Sequence, residues 1–365
     1  MGKPRASSLG ASIVRVLHVI PDGTLGGGNV NVARLASVLP DSIENHFLIP
    51  SDSTEAVRTL FPSEFIHVGA YNSRGNPLAI ARAIRVEGAD RFQLIHAHGT
   101  RAATGTMLAR YLGVKASILY TVRGYHGLYN PGCFGLRIYL ESLLSQYFDM
   151  VIFVSEADRA IGEVRRLKYR QTRLIPNGIN LGEITSNLRD IDVIFVGRLV
   201  YQKNPEAFIE SVAILGPMST VHLVGDGELE EQVEALIEAK ALRVTRHGQL
   251  SHHDTIALMA RARVLVMTSR WEGLPTTAIE APLAGAAVVG FDIPSLREVL
   301  GETANESLVP GRDTAALGEK IAKLLKGQFA ERLGELQKKR MAQEYNPRLM
   351  ADRYEDAYIT LAGQV

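Results

Sequence analysis

Residues Val264–Gly285 read VLVMTSRWEGLPTTAIEAPLAG. A continuously apolar run of strand length, Val264–Met267, passes through a polar loop into a helix that opens near Pro275. That pattern fits a parallel strand covered by helices on both faces. Pro275 is predicted at the first helical position, where its missing N–H costs nothing. Leu274, at or next to the cap, has no side-chain oxygen for the free N–H groups of Thr276 and Thr277. Glu272 and Gly273 then fall in the entry loop, and Glu280 lies about a turn and a half into the helix. An uncapped helix start between two carboxylates fits an anion that carries hydroxyl groups. The helix end takes phosphate, and the carboxylates accept hydrogen bonds from diols. A nucleoside diphosphate sugar has that chemistry; the competing reading is a poorly capped surface helix with two solvated acids.

The same alternation of apolar run and helical segment extends through the chain. In the first half the runs are Val14–Ile20, His46–Ile49, Phe65–Val68, Leu94–His98, Ser117–Val122, Met150–Val154 and Arg173–Ile175. In the second they are Val193–Val196, Thr220–Val224, Arg243–His247, Val264–Met267, Ala287–Gly290 and Ser307–Val309. Strand and helix alternating throughout predict an α/β protein of doubly wound architecture, twice over. The polar, Gly/Asn-rich segment Pro176–Asp192 marks the junction. Three parts are expected: residues 1–185, residues 186–344, and a final helical piece over 345–365 that packs back on the first domain. Facing domains of this kind place their strand C-terminal ends, where such folds bind ligands, across a shared cleft.

The chain has 365 residues, of which 46% are hydrophobic and 22% charged, too long for one compact core. Its single cysteine, Cys133, leaves no internal disulfide framework and suggests a reducing compartment. No apolar run reaches the ~18–20 residues of a spanning helix, and the N-terminus carries no signal-peptide core. A cytoplasmic protein is expected. Charge is uneven: residues 1–185 hold 20 Lys+Arg against 14 Asp+Glu, and residues 186–365 hold 20 against 25. A basic first half suits an anionic acceptor or an acidic membrane surface, as well as a mildly basic domain with neither. The amphipathic segment Phe134–Met150 and the group Arg165, Arg166, Lys168, Arg170 and Arg173 fit peripheral contact with the inner face of the membrane; packing under the domain and a solvated loop fit them too.

The strand ends carry the remaining signals. After the first strand comes PDGTLGGGNVNVARL, in which Gly26, Gly27 and Gly28 let the backbone approach a ligand at a helix start. A dinucleotide fingerprint is absent in the right register, which argues against a nicotinamide dehydrogenase. After the first strand of the second half, VGRLVYQKN places Arg198 and Lys203 where two cations can clamp a diphosphate and offset charge on a leaving phosphate. The next strand ends in a tight turn, Gly225-Asp226-Gly227. The third ends in RHGQLSHHD, where Gly248 and Leu250 sit in a loop whose backbone can face a nucleobase.

The ordered set GGG, GR-xxxx-K, GDG, HGQL and E-x7-E, with PNGIN at the junction, resembles the retaining glycosyltransferases of the GT-B fold, family 4. The resemblance covers essentially the whole chain. It implies two Rossmann-like domains, with the acceptor bound mainly by the first and the nucleotide sugar mainly by the second. Arg198 and Lys203 would hold the diphosphate, Glu280 the ribose hydroxyls and Glu272 the donor sugar. Gly26 and Gly27 would approach its phosphate or ring. The donor set is completed by Gly225, Gly248, Leu250, Gly273, Leu274, Pro275, Thr276 and Thr277. Catalysis would rest on Glu272, Arg198, Lys203 and Arg123. The co-substrate is a nucleotide diphosphate sugar, with no cofactor, no metal and no nucleic acid. The acceptor would be a glycan or lipid-linked glycan of a surface polysaccharide.

Three positions depart from the family pattern. Relatives carry a histidine after the fifth strand; here YTVRGYHGLY puts Arg123 in register, with His126 three residues on. An arginine is no base at neutral pH, but together with His98 and His126 it can hold an acceptor. Pro282 stands inside the helix of Glu280, where it removes a hydrogen bond. Asn204 replaces a frequent glycine. Asp190-Ile-Asp192 imitates a metal-binding pair but precedes a strand, and the pairs His96/His98 and His252/His253 lack further ligands at zinc-like spacing. The alternatives are a sugar-nucleotide epimerase or hydrolase of the same fold, and a nucleotide-sugar-binding protein that has lost its chemistry.

Overall fold

The computed structural model describes residues 13–73, 76–123, 145–165, 167–182 and 188–363. Each of the thirteen apolar runs forms a strand. By contacts the chain divides into two compact units: Met1–Val154, Asp158–Gly178 and Pro347–Val365 form the first, and Ser155–Ala157 and Ile179–Asn346 the second.

The first unit holds β1 (Val14–Val19), β2 (Ile43–Pro50), β3 (Ile66–Gly69), β4 (Leu94–His98), β5 (Ser117–Val122), β6 (Met150–Phe153) and β7 (Thr172–Leu174). Its sheet runs β3-β2-β1-β4-β5-β6-β7, and all pairs are parallel. Successive side chains of a strand point to opposite faces. Leu17 and Val19 therefore enter one core, beneath helices Pro77–Val86 and Thr100–Tyr111. Val14 and Val16 enter the other, where helix Pro347–Ala362 lays down Met350, Tyr354, Tyr358 and Leu361. Covering both faces is why these strands read as unbroken apolar runs rather than alternations. β2 begins at Ile43, before the run that starts at His46, because Glu44 and Asn45 interrupt the apolar pattern without leaving the ladder.

The second unit holds β8 (Ile191–Val196), β9 (Val221–Val224), β10 (Val244–Arg246), β11 (Ala262–Met267), β12 (Ala287–Phe291) and β13 (Leu308–Val309), in the order β10-β9-β8-β11-β12-β13 and again parallel. Ile194, Leu265 and Val288 face a core closed by helices His252–Arg261 and Thr276–Ala284. Val193, Phe195, Val264 and Val266 face one that includes Phe208 and Leu317. Both sheets reverse strand order once, at β1/β4 and at β8/β11, and open α/β sheets bind ligands beyond the strand ends at that point.

No helix among the described residues is long and apolar enough to cross a membrane. His126, Cys133, Arg166 and most of Phe134–Met150 lie outside the described residues.

Candidate active site

The second unit gathers its candidate residues at the β8/β11 switch. Lys203, in the loop after β8, places Nζ 2.5 Å from Glu272 Oε1 in the loop after β11. Glu272 is buried, at 7% exposure, so its charge needs partners. Ser269 Oγ donates to the same oxygen at 2.6 Å and Gln202 Nε2 to the other at 3.5 Å. Arg270 N donates to Gln202 O at 2.8 Å, and Gln202 Nε2 donates to Trp271 O at 3.0 Å, tying the two loops together. Arg198 is exposed, on the same β8 loop as Lys203.

Backbone demands explain two local choices. Asn204 sits in the left-handed region, φ 53 and ψ 56, as the residue before helix Pro205–Val212. Glycine fits that region without cost and asparagine is among the few others that visit it. The departure from glycine is thus conformationally tolerated. Gly225 has φ +128, and a Cβ there would stand 2.0 Å from Gly197 O. It closes the turn after β9 onto the β8 loop, where Leu199 N donates to Asp226 O at 2.6 Å. Gly225 N in turn donates to Gly248 O at 2.8 Å, so the three loops after β8, β9 and β10 form one hydrogen-bonded rim. Gly248 faces open space, and Leu250 packs against the core behind it.

The helix after β11 differs in one respect from its expected form. Pro275 is the cap residue itself, with φ −74 and ψ 89, and the helix runs Thr276–Ala284. Leu274 therefore lies outside the helix, where it packs on the core, with buried Gly273 before it. Glu280 is the fifth helical residue, still about a turn and a half in. No side chain caps this start, so the expected donors, Thr276 and Thr277 N–H, still head it. The helix continues through Pro282 for two residues before Gly285 ends it at φ 99. Glu280 is buried and pairs with His252 Nε2 at 2.9 Å. From the sequence alone His252 stands out only as one of a histidine pair without further ligands at zinc-like spacing. Its place at the start of a helix capped by Ser251, whose Oγ accepts from Asp254 N at 3.1 Å, was the available signal.

In the first unit the glycine loop is held in place. Asn29 Nδ2 donates to Asp22 O and Thr24 O, both at 2.9 Å, and Gly23 N donates to Ser73 Oγ at 2.8 Å. Gly26 caps helix Gly27–Val38 without a side-chain bond. On the neighbouring strands, His98 ends β4 and Arg123 follows β5. Arg123 Nη2 donates to His98 Nδ1 at 3.1 Å. Since that nitrogen accepts, His98 Nε2 carries the hydrogen and donates to His18 Nδ1 at 3.0 Å. His18 Nε2 then donates to Asn45 Oδ1 at 2.9 Å. An arginine that only donates and a carbonyl that only accepts fix both tautomers.

His18 also corrects the sequence expectation that His96 and His98 lack a third ligand. The three rings present nitrogens within 4.8 Å of one another, all buried. His96 holds Tyr358 OH at 2.8 Å and Thr121 Oγ1 at 2.7 Å, so each of the six ring nitrogens already has a partner. A cation there would have to break the Arg123–His98 bond and sit beside a guanidinium. Asp190 grips Arg261 at 2.9 and 2.5 Å, and Asp192 accepts from Thr220 N at 2.9 Å. That pair ties strands and loops together. Arg170 and Arg173, from the basic group, pair with Asp149 and Asp356.

Burial lowers the pKa of His18 from 6.5 to about 4, and holds His96 and His98 well below that ordinary value. Above pH 6.5 neither folded nor unfolded chain protonates these rings, so nothing is lost. Below it the unfolded chain takes up protons that the native rings refuse. Stability of the first unit should fall by about 1.4 kcal/mol per pH unit for His18 alone, down to its folded pKa. Urea unfolding midpoints at about pH 7, 6 and 5 check this; midpoints independent of pH would refute it.

Two family models match the chain: "Glycosyltransferase Family 4" over residues 25–183 and "Glycosyl transferases group 1" over residues 180–345. A 41.2 kDa protein in a cps region of Klebsiella pneumoniae is 23% identical over 82% of this chain and 87% of its own. The glycogen synthase of Mycobacterium tuberculosis is 26% identical over 74% of this chain and 69% of its own. Anabaena HepE, solved with UDP and glucose, superposes with a TM-score of 0.81 at 20% identity, over 95% of this chain and 100% of that one. The two parallel α/β units have the GT-B fold, and the chain belongs to glycosyltransferase family 4, the group 1 glycosyl transferases.

Proposed function

We propose that this glycosyltransferase moves a hexosyl group, with retention of anomeric configuration, from a nucleoside diphosphate sugar to a glycan or lipid-linked glycan in surface polysaccharide assembly. The observation that carries the reading is the Lys203–Glu272 pair at the β8/β11 switch, beside the uncapped start of helix Thr276–Ala284. Arg198, Lys203 and the N–H groups of Thr276 and Thr277 receive the diphosphate. Glu280 accepts from the ribose diol and Glu272 from the transferred sugar. Fixed positive charge at the leaving phosphate is the kind of help that often dominates catalysis, and in this scheme it stands in for a metal. The departing phosphate takes the acceptor's proton on the same face. The relatives include a glycogen synthase and a protein of a cps region, which supports a glycan acceptor. Action in the cytoplasm, with peripheral contact at the inner face of the membrane, follows from the acceptor class.

Thermal unfolding with UDP, GDP, ADP and TDP, on wild type and Glu280→Ala, tests the site. A nucleotide at 100 times its Kd adds roughly 2.7 kcal/mol. One of the four should raise the wild-type midpoint, and the variant should lose that rise because two charge-assisted hydrogen bonds are gone. His252, half exposed, is solvated when its partner goes, so the variant stays folded. No response to any nucleotide would refute the assignment. Nucleotide release without acceptor, at the full rate, would favour the epimerase or hydrolase instead.

A further inference from the structure

Arg123 follows β5 with its side chain largely enclosed. Its Nε is fully shielded and has no hydrogen-bond partner. No carboxylate of the described residues pairs with it; its nearest ionisable neighbours are the three histidines and the hydroxyls of Tyr354 and Tyr358. Those histidines are kept neutral by burial, so nothing in the cluster balances the guanidinium charge. Such a charge is costly to bury alone. It is also anchored: Arg123 Nη2 is drawn to His98, His98 to His18, and His18 to Asn45, a chain of one-way donors running from the end of β5 through β4 and β1 to β2. The Arg123 Cδ stands 4.0 Å from where a side chain of Gly28 would begin, on the first turn of helix Gly27–Val38. That helix start has no side-chain cap and no acidic residue in its first turn. An arginine with no counter-ion among the described residues thus has its stem against the first turn of a helix whose N–H groups are free.

We propose that Arg123 and the start of helix Gly27–Val38 form an oxyanion-binding site of the first unit, with His98, His18 and Asn45 as positioning residues that hold the guanidinium toward it. The ligand is an anionic group of a substrate: a phosphate on the acceptor or a carboxylate on the transferred sugar. The site rests on the sugar-transfer reading above and narrows it to charged substrates. Arginine serves here as an electrostatic receptor at the position where the family pattern leads one to expect a histidine. The guanidinium fork gives two N–H donors to one oxyanion: Nη1 and the second hydrogen of Nη2, the first being held by His98, serve that purpose, while Nε is shielded.

Calorimetric titration of the full chain with inorganic phosphate, and separately with glucuronate against glucose, tests the site. Wild type is compared with Arg123→Gln, which keeps the volume and drops the charge. Phosphate binding that weakens about tenfold or more in the variant assigns the site to a phosphorylated acceptor. Glucuronate binding that weakens likewise, with glucose silent in both, assigns it to a uronosyl group. Asn45→Leu, which touches neither probe, should weaken the same titration, and Asn45→Asp should restore it because an acceptor for His18 Nε2–H returns. Two outcomes overturn the proposal: neither probe binding wild type, or both binding Arg123→Gln as tightly as wild type. Nucleoside diphosphate binding is measured on the same samples. If it persists while the anion titrations fail, the sugar-transfer reading stands without this site; if it fails too, that reading falls separately.

Discussion

Lys203→Ala should slow sugar transfer by about 10²–10³-fold and destabilise the second unit by about 3 kcal/mol, and a second change, Glu272→Gln, should restore most of the stability but none of the lost transfer. Lys203 is the cation that balances a carboxylate exposed to only 7%. Removing one member of a buried pair leaves the other charged and poorly solvated, which costs more than the pair contributes. Ser269 Oγ and Gln202 Nε2 still donate to Glu272, so the loss sits at the low end of the usual range. Replacing the carboxylate as well removes the stranded charge. The catalytic deficit has another origin, the missing cation at the departing phosphate, worth about 10²–10³ in turnover at comparable sites. Urea unfolding followed at Trp271, the only tryptophan, reads the first effect, and nucleotide release with acceptor reads the second. A double variant as unstable as Lys203→Ala would remove the buried pair from the argument. A fully active Lys203→Ala would remove the residue from the site.

What the sequence made legible follows from what each signal depends on. Strands covered on both faces have no polar side to confuse the count, which is why Leu94–His98 and Ser117–Val122 could be read to the residue. The start of the helix after β11 was off by one, because a proline suits either the cap or the first helical position, and its ψ of 89 cannot be read from residue type. Glu272 and Lys203 were found through their order along the chain. Ser269 and Gln202, which hold Glu272, carry no motif and needed the two loops to be stitched together. His18 lies 80 residues from His98, and only the β1–β4 pairing, with His18 opposite His96, brings it in. A signal for it did exist: apart from exposed Arg15, β1 and β4 are apolar but for their histidines, and buried polar residues in such strands must find one another. Arg123 is visible as a departure from the family pattern, but not its lack of a counter-ion among the described residues, which is a property of the surrounding fold.

A chain ended at Asn346 should lose the cooperative folding of its first unit while the second unit keeps its own transition. Helix Pro347–Ala362 contributes Met350, Tyr354, Tyr358 and Leu361, all buried, to the core that contains Val14, Val16, Leu94, Leu119, Met150 and Ile152. Four such side chains at about 2 kcal/mol each remove ~8 kcal/mol, against the ~5–15 kcal/mol that holds a whole domain. Polar losses compound it. His96 Nδ1 loses Tyr358 OH at 2.8 Å, Thr121 Oγ1 loses Tyr354 OH at 3.2 Å, and Ser117 Oγ loses Leu361 O at 3.2 Å. The second unit keeps Tyr345, whose carbonyl accepts from Ile179 N at 2.9 Å, and all its core residues precede the cut. Far-UV circular dichroism of the shortened chain should therefore fall short of wild type before any denaturant is added, while the Trp271 transition stays near its wild-type midpoint. Tyr354→Ala in the full chain, costing about 3–5 kcal/mol, should lie between the two. A peptide of residues 347–365 added in trans should recover the missing ellipticity, because what was lost is a set of contacts with one face of a sheet. A shortened chain with wild-type ellipticity and unchanged transitions would mean that the first sheet is stable with that face bare. The four side chains would then be surface ornaments of a core that closes without them, and the two tyrosines would not be what holds the histidine cluster behind Arg123.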